Sequence, residues 1–244
     1  CPRLDQYHLF SDAEDPTSAP NSSGGSYEAS LQGVPFVLNT KLFSDYAVKY
    51  RVLFMPSGTK AIYKDAETDG SAYSANATII FPVGTIIAKT FAFADETTGK
   101  ENVVETRLLI KRINNKTHAP RWDGLAYIWK TGTDGKRYAE FAPGGGTASV
   151  SWNFPDADSG ALHAGSTPAY QVPNSNQCLS CHSREDSEAG AAPIGPKVRN
   201  LNRPYASESP IESGQAAHDI AGKNQVAWLC AHDRMIGCPA DLGV

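Results

Sequence analysis

The sequence predicts an α+β chain that is mostly β, with an antiparallel sheet body followed by a C-terminal segment of loops and a short helix. Three observations carry this expectation. Short apolar segments with a two-residue period recur from about residue 34 to residue 172. After Pro173 the chain turns to Asn, Ser, Pro and Gly with little periodicity. Within that last part, residues 224–235, NQVAWLCAHDRM, read as a helix that opens at Asn224, a good N-cap, and closes before Gly237.

Taken in order, residues 1–30 form an N-terminal arm and linker. Residues 4–10 are apolar enough to dock on the body or on a neighbouring molecule, whereas 11–30, SDAEDPTSAPNSSGGSYEAS, read as a loosely held tether. The β-rich body spans 31–172. In 48–55, Val48, Tyr50, Val52 and Phe54 line one face while Lys49 and Arg51 point the other way. Residues 103–113 repeat the pattern, with Val104, Thr106, Leu108 and Ile110 opposed to Glu105, Arg107 and Lys111. Both read as half-buried strands of an antiparallel sheet. The stretch 79–93, IIFPVGTIIAKTFAF, is apolar on both faces after its break at Pro82-Val83-Gly84. Lys89 therefore stands in a buried row with Thr85, Ile87, Phe91 and Phe93 and needs either a route to the sheet edge or an anionic partner. Leu125, Tyr127 and Trp129 make another face, which runs into the turn Thr131-Gly132-Thr133-Asp134-Gly135 and returns through 137–141. Val150, Trp152 and Phe154 complete the set. Residues 173–244 pack on this body, and the whole is expected to be one structural domain.

Charge and hydropathy exclude some classes. With 22 basic against 26 acidic residues there is no electrostatic footprint for nucleic acid. No apolar run approaches the roughly 18 to 20 residues needed to span a bilayer, so a soluble or merely anchored protein is expected. Neither a serine nucleophile elbow, a zinc-protease helix nor a dinucleotide loop occurs.

The five residues Cys178-Leu179-Ser180-Cys181-His182 carry the chemistry. Cys-x-x-Cys-His is the spacing at which two thiols add across haem vinyl groups and the adjacent imidazole ligates the iron. The competing uses of this spacing are half a zinc site and a thioredoxin-like redox pair. A zinc site needs a second ligand pair, and the sequence has no other Cys-x-x-Cys and no His-x3-5-His. One covalent haem c, attached at Cys178 and Cys181 with His182 as proximal ligand, is thus expected on the C-terminal loop and helix segment. Covalent attachment of this kind implies export, to the periplasm or the outer cell surface, where disulfides persist. Cys230 and Cys238 are then the preferred disulfide pair, with free buried thiols as the alternative. Cys1 is a candidate lipid anchor, as in mature bacterial lipoproteins, or else an arbitrary chain end or a further disulfide partner. Contact with a membrane is expected only through that lipid.

The distal side of the iron decides between electron transfer and ligand chemistry. The preferred distal ligands are Met235, His163 and His232, with Met55, His8, His118 and His218 also present. Lys197, Arg199 and Arg203 follow the motif closely and suit haem propionates, unless they form a solvated basic loop. Lys89 is a further propionate or haem-edge contact. Trp228 and Tyr205 are aromatics able to pack on a haem or to serve the core.

On Asn176-Gln177-Cys178-Leu179-Ser180-Cys181-His182-Ser183 and Ile194-Gly195-Pro196-Lys197-Val198-Arg199-Asn200-Leu201-Asn202, the chain resembles an uncharacterised bacterial family of exported monohaem c-type cytochrome-like proteins. The blocks at 38–47, 81–85 and 105–109 are similar to that family as well. A more distant likeness, carried by Gly84-Thr85-Ile86-Ile87-Ala88-Lys89 ahead of a single C-terminal haem motif, is to monohaem cytochromes that oxidise hydroxylamine or bind nitric oxide. That likeness implies a lysine cross-linked to the haem, with Lys89 in its place. The leading expectation is single-electron transfer between redox partner proteins. The alternatives are a haem oxidoreductase acting on a small nitrogen species, and a subunit of a homo-oligomeric haem assembly built through the N-terminal arm.

Overall fold

The computed structural model describes residues 1–21, 31–41, 43–65, 72–155, 159–182, 192–207 and 214–242; the side chains of 31, 179–181 and 216–217 lie outside that description. Half of the chain is strand and about a tenth is helix, in three short α-helices among the described residues. The expected α+β class is therefore corrected to a predominantly β fold.

The body is built on β7 (Ile86–Asp95), the apolar segment recognised in the sequence. One edge of β7 pairs antiparallel with β8 (Lys100–Ile113), which continues to β9 (Pro120–Thr131) and β10 (Arg137–Phe141). Its other edge pairs with β4 (Val48–Pro56), which carries β3 (Leu31–Pro35). At the far end of the same edge, Asp95 meets Asn153 of β11 (Gly146–Pro155), which pairs with β12 (Leu162–Val172). A small sheet of β5 (Ala61–Lys64), β6 (Thr78–Ile80) and β13 (Met235–Ile236) lies apart.

Both faces of the central sheet are covered, which is why the alternation read from sequence does not separate core from solvent. Tyr50, Val52 and Phe54 of β4, Ile86 and Ala88 of β7, Leu108 and Ile110 of β8 and Tyr127 of β9 share one face, and Leu4, Tyr7 and Leu9 seal it. Residues 11–20, expected as a tether, instead belong to a hairpin of β1 (Phe10–Asp12) and β2 (Asp15–Pro20), with Thr17 and Pro20 buried. The rest of the expected tether, 22–30, lies outside the described residues.

On the opposite face, Leu53, Met55 and Ile87 join Val198, Leu201, Tyr205, Val226, Trp228, Leu229 and Met235 in one cluster. Among the described residues there is thus no separate C-terminal haem-bearing segment on a finished body, because Val198, Leu201, Tyr205, Ile220, Val226, Trp228, Leu229 and Met235 complete the core. The expected helix over 224–235 shortens to α3 (Gln225–Ala231), where Asn224 accepts from the Ala227 N–H at 3.1 Å. It stops because the chain turns back after it, the Arg234 carbonyl accepting from the Ala61 N–H and Met235–Ile236 pairing with Ala61 and Ile62 of β5. Cys230 and Cys238, the expected disulfide pair, lie on either side of this reversal with their sulfurs 2.04 Å apart.

A second cluster on that face gathers Phe91, Phe93, Val104, Ala126, Val150, Tyr170 and Val172. Between the two clusters the face is charged. Glu105 is fully buried, and Arg107 donates to both its oxygens, from Nε at 2.8 Å and from Nη2 at 2.5 Å. The Tyr170 hydroxyl donates to the same carboxylate at 2.7 Å. A carboxylate at this depth is tolerable only with such partners, since removing one member of a buried pair strands the other in low dielectric.

Glu105→Ala is expected to cost about 3–5 kcal/mol in chemical denaturation, as for a broken buried ion pair. A loss below about 0.5 kcal/mol, the scale of a neutral surface change, would show that the network does not hold the sheet face.

Candidate functional site

The Cys-x-x-Cys-His motif lies on α1 (Ser175–His182). Asn174 and Gln177 start this helix reciprocally: the Gln177 N–H donates to Asn174 Oδ1 at 2.9 Å, and the Asn174 N–H donates to Gln177 Oε1 at 2.8 Å. This is the capping arrangement that satisfies donors at a helix start. Gly124 of β9 lets the helix approach the sheet, for a Cβ there would stand 3.2 Å from the Cys178 Cβ. Cys178 is consequently buried, and it is not in a disulfide. Cys181 is in the helix, and its side chain lies outside the described residues.

His182 ends α1 half-buried. Its Nδ1 donates to the Ala192 carbonyl at 2.8 Å, since a carbonyl can only accept. That bond fixes the tautomer and leaves the Nε2 lone pair free. Burial pushes the imidazole pKa down, partly opposed by the Ala192 bond, with Lys89 and Arg107 adding to the lowering. A neutral imidazole oriented through Nδ1 is the form in which histidine ligates a metal.

Cys178 and His182 open onto a cavity of about 390 Å³, within the range of small-molecule sites. Its floor is the charged face of the sheet, and its other wall is the segment from Pro193 to Pro196. Phe36, Leu38, Ile87 and Leu109 make it largely apolar. The cations on the floor are in register, as Arg51 of β4 pairs with Lys89 of β7 and Lys89 with Arg107 of β8. Phe91 supports two of them: Lys89 Nζ lies 4.6 Å and Arg107 Cζ 4.2 Å from its ring centroid. Burial lowers the Lys89 pKa to about 7, helped by Arg107, Arg51 and Lys49 and opposed by Glu105. Like charges directly opposite on neighbouring strands are unfavourable, so an anionic group entering the cavity would relieve the row.

The residues fit a covalent haem on this structure's own terms. A buried thiol, an imidazole with its coordinating nitrogen free, apolar walls and cations suited to propionate carboxylates converge on one space. Of the contacts expected from sequence, Lys89 lies in it. Arg51 and Arg107 also do; the sequence reading placed both on an outward face. Their signal was available: successive strands carry cations at positions that align when the apolar faces are matched.

The remaining expected residues are distributed elsewhere. Met235 is buried in the cluster with Trp228 and Met55. His163 of β12 stacks near Tyr46 and Phe154. His232 caps α3, donates from Nδ1 to the Trp228 carbonyl at 2.9 Å and stacks on that indole at 4.1 Å. His8 and His118 occupy turn positions with positive φ. His218 pairs with Asp219 and, with His232, borders a different cavity of about 480 Å³. Lys197 lines a neighbouring cavity beyond Pro193 and Pro196, Arg199 is exposed, and Arg203 donates to the Leu38 carbonyl at 3.1 Å. Tyr205 and Trp228 serve the core. Cys1 is exposed, and its carbonyl accepts from the Tyr127 hydroxyl at 2.9 Å.

Two outcomes follow from this geometry. Gly124→Val, which wedges α1 off the sheet, is expected to lower stability by about 1–3 kcal/mol, the scale of overpacking; an unchanged urea midpoint would place the helix elsewhere. Because the Lys89 pKa falls from 10.5 to about 7, its charge opposes folding below pH 7, and the penalty fades as pH rises from 7 towards 10.5. Lys89→Met should therefore stabilise the chain most at pH 6 and least at pH 10, whereas an equal gain at both would contradict a desolvated ammonium. Compared with family models, with curated proteins and with solved structures, the chain matches none, so its reading rests on this cavity.

Proposed function

We propose that the chain is a c-type cytochrome that holds one haem through Cys178 and Cys181, with His182 as the axial ligand, and exchanges single electrons with redox partner proteins outside the cytoplasm. The observation that carries this reading is the convergence of Cys178, the free Nε2 side of His182 and the cationic row on one apolar cavity. When bound, the haem supplies reversible one-electron iron chemistry. The chain's own work is to hold and tune it. Ala192 orients His182 and makes its outer nitrogen more basic. Arg51, Lys89 and Arg107 offer charge to the carboxylates, and the wall at 193–196 limits water. Positive charge beside the site favours the reduced state, because reduction adds an electron to a dry, cationic environment.

A second reading is favoured by a specific placement. Lys89, with a pKa near 7, faces the same cavity as His182, while Met235, His163 and His232 do not line it. A haem oxidoreductase acting on a small nitrogen species would need such a space for its ligand, and a partly neutral Lys89 would be nucleophilic enough to modify the edge of a haem held there. Export is part of the proposal. No helix among the described residues is long and apolar enough to cross a membrane.

The test is the absorption spectrum of the chain matured in a host that attaches haem c, reduced, with and without carbon monoxide. A Soret band that disappears in Cys178→Ser/Cys181→Ser is expected, and a carbon monoxide shift in the parent would favour the second reading. No shift would favour electron transfer through a six-coordinate iron over the second reading. The absence of a Soret band would overturn the assignment.

A further inference from the structure

A chain of aromatic rings runs from the cavity wall to the surface. Tyr170 is buried and its hydroxyl donates to Glu105, whose carboxylate is gripped by Arg107, a cavity-lining residue. Its ring meets Phe93 edge-on at 5.3 Å between centroids, and Phe93 meets Trp152 at 6.1 Å. Tyr46 stacks on Trp152 at 5.3 Å and is 45 % exposed, with the 73 % exposed Phe43 against it at 5.2 Å. Asp45 and Tyr46 both have left-handed backbones, φ 46° and 66°. Two adjacent non-glycine residues in this region store strain, and here the strained turn lays the Tyr46 ring on Trp152.

We propose that Tyr170 is a redox-active tyrosine, the inner end of a relay that carries single oxidising equivalents from the haem cavity to Tyr46 at the surface. The proposal rests on the haem reading above and adds hydrogen peroxide, a two-electron oxidant, as the co-reactant. Tyrosine is oxidised readily only when its proton has somewhere to go, and Glu105 at 2.7 Å is that acceptor. In one passage Tyr170 gives an electron to the peroxide-oxidised cofactor and its phenolic proton to Glu105. An electron drawn through Trp152 and Tyr46 from a reductant at the surface refills the phenoxyl, and Glu105 returns the proton. Over two passages, one peroxide, two electrons and two solvent protons become two waters, and the relay is restored. Phe93 is not itself oxidised; it bridges two oxidisable rings so that electrons move in short steps, which outrun a single long one because tunnelling decays steeply with distance.

The experiment is electron paramagnetic resonance on the haem-loaded full chain, frozen shortly after peroxide addition, with the protein grown on ordinary or ring-deuterated tyrosine. The expected result is an organic radical whose signal narrows on tyrosine deuteration and is lost in Tyr170→Phe. Tyr46→Phe, a surface change that leaves Glu105 and Arg107 untouched, should lengthen the radical's lifetime by an order of magnitude or more. A radical that does not respond to tyrosine deuteration, or a Soret band without any radical, overturns the relay. A missing Soret band overturns the haem reading instead, so the two failures are distinct. Should Tyr170→Phe not fold, deuteration of the parent and the Tyr46→Phe lifetime still decide.

Discussion

The arrangement depends on the buried carboxylate of Glu105. Three adjacent strands present cations to the same face at the same level, and such a row inside an apolar layer would drive water in or the strands apart. Glu105 offsets this from within, taking both arms of Arg107 and the hydroxyl of Tyr170. It fixes Arg107 flat against Phe91 and joins β8 to β12 across the sheet. The charged strip that results divides the face into two apolar clusters, and the cavity occupies the gap between them.

The other elements are placed by that gap. The N-terminal residues Leu4, Tyr7 and Leu9 cover the opposite face, so the sheet can spend this one on a site. Val198, Leu201, Tyr205, Val226, Trp228, Leu229 and Met235 complete the core at one end, while Gly124 admits α1 at the cavity's rim. A helix too short to be stable by itself is thus held by its caps, by Cys178 against β9 and by the return of the chain at Ala192. His182 is oriented by backbone on one side and faces the cations on the other. The preorganisation that a bound metal centre requires is supplied by ordinary strand and cap chemistry.

Much of this was legible in the sequence, unevenly. The strands at 48–55, 103–113 and 125–129 and their apolar faces were visible because period-two alternation survives whatever covers the sheet. The inference that Lys49, Arg51, Glu105 and Arg107 faced water failed because alternation reports which residues share a face and not whether the second face is buried. The apolar character of both faces of β7 was the clue that it is, and Lys89 within it marked the site. The hairpin over 10–20 was hidden by composition: Asp, Ser, Pro and Ala lack apolar periodicity, and its pairing is set by contact with the body. The helix expected to reach Met235 was overextended, since propensity does not register a tertiary strand pairing with Ala61. The local signature of Cys178 to His182 was plain, whereas its partners Arg51 and Arg107 are more than 70 residues away in sequence and become neighbours only through strand register.

The central claim is that the cavity between the two apolar clusters is built around a covalently held haem. Peptide mapping by mass spectrometry, on chain produced in a host with haem c attachment machinery, tests it most directly. The account predicts that the peptide containing Cys178 and Cys181 carries the mass of one haem, joined to both sulfurs. Recovery of that peptide with two free thiols, a disulfide between them or a bound zinc ion would contradict it.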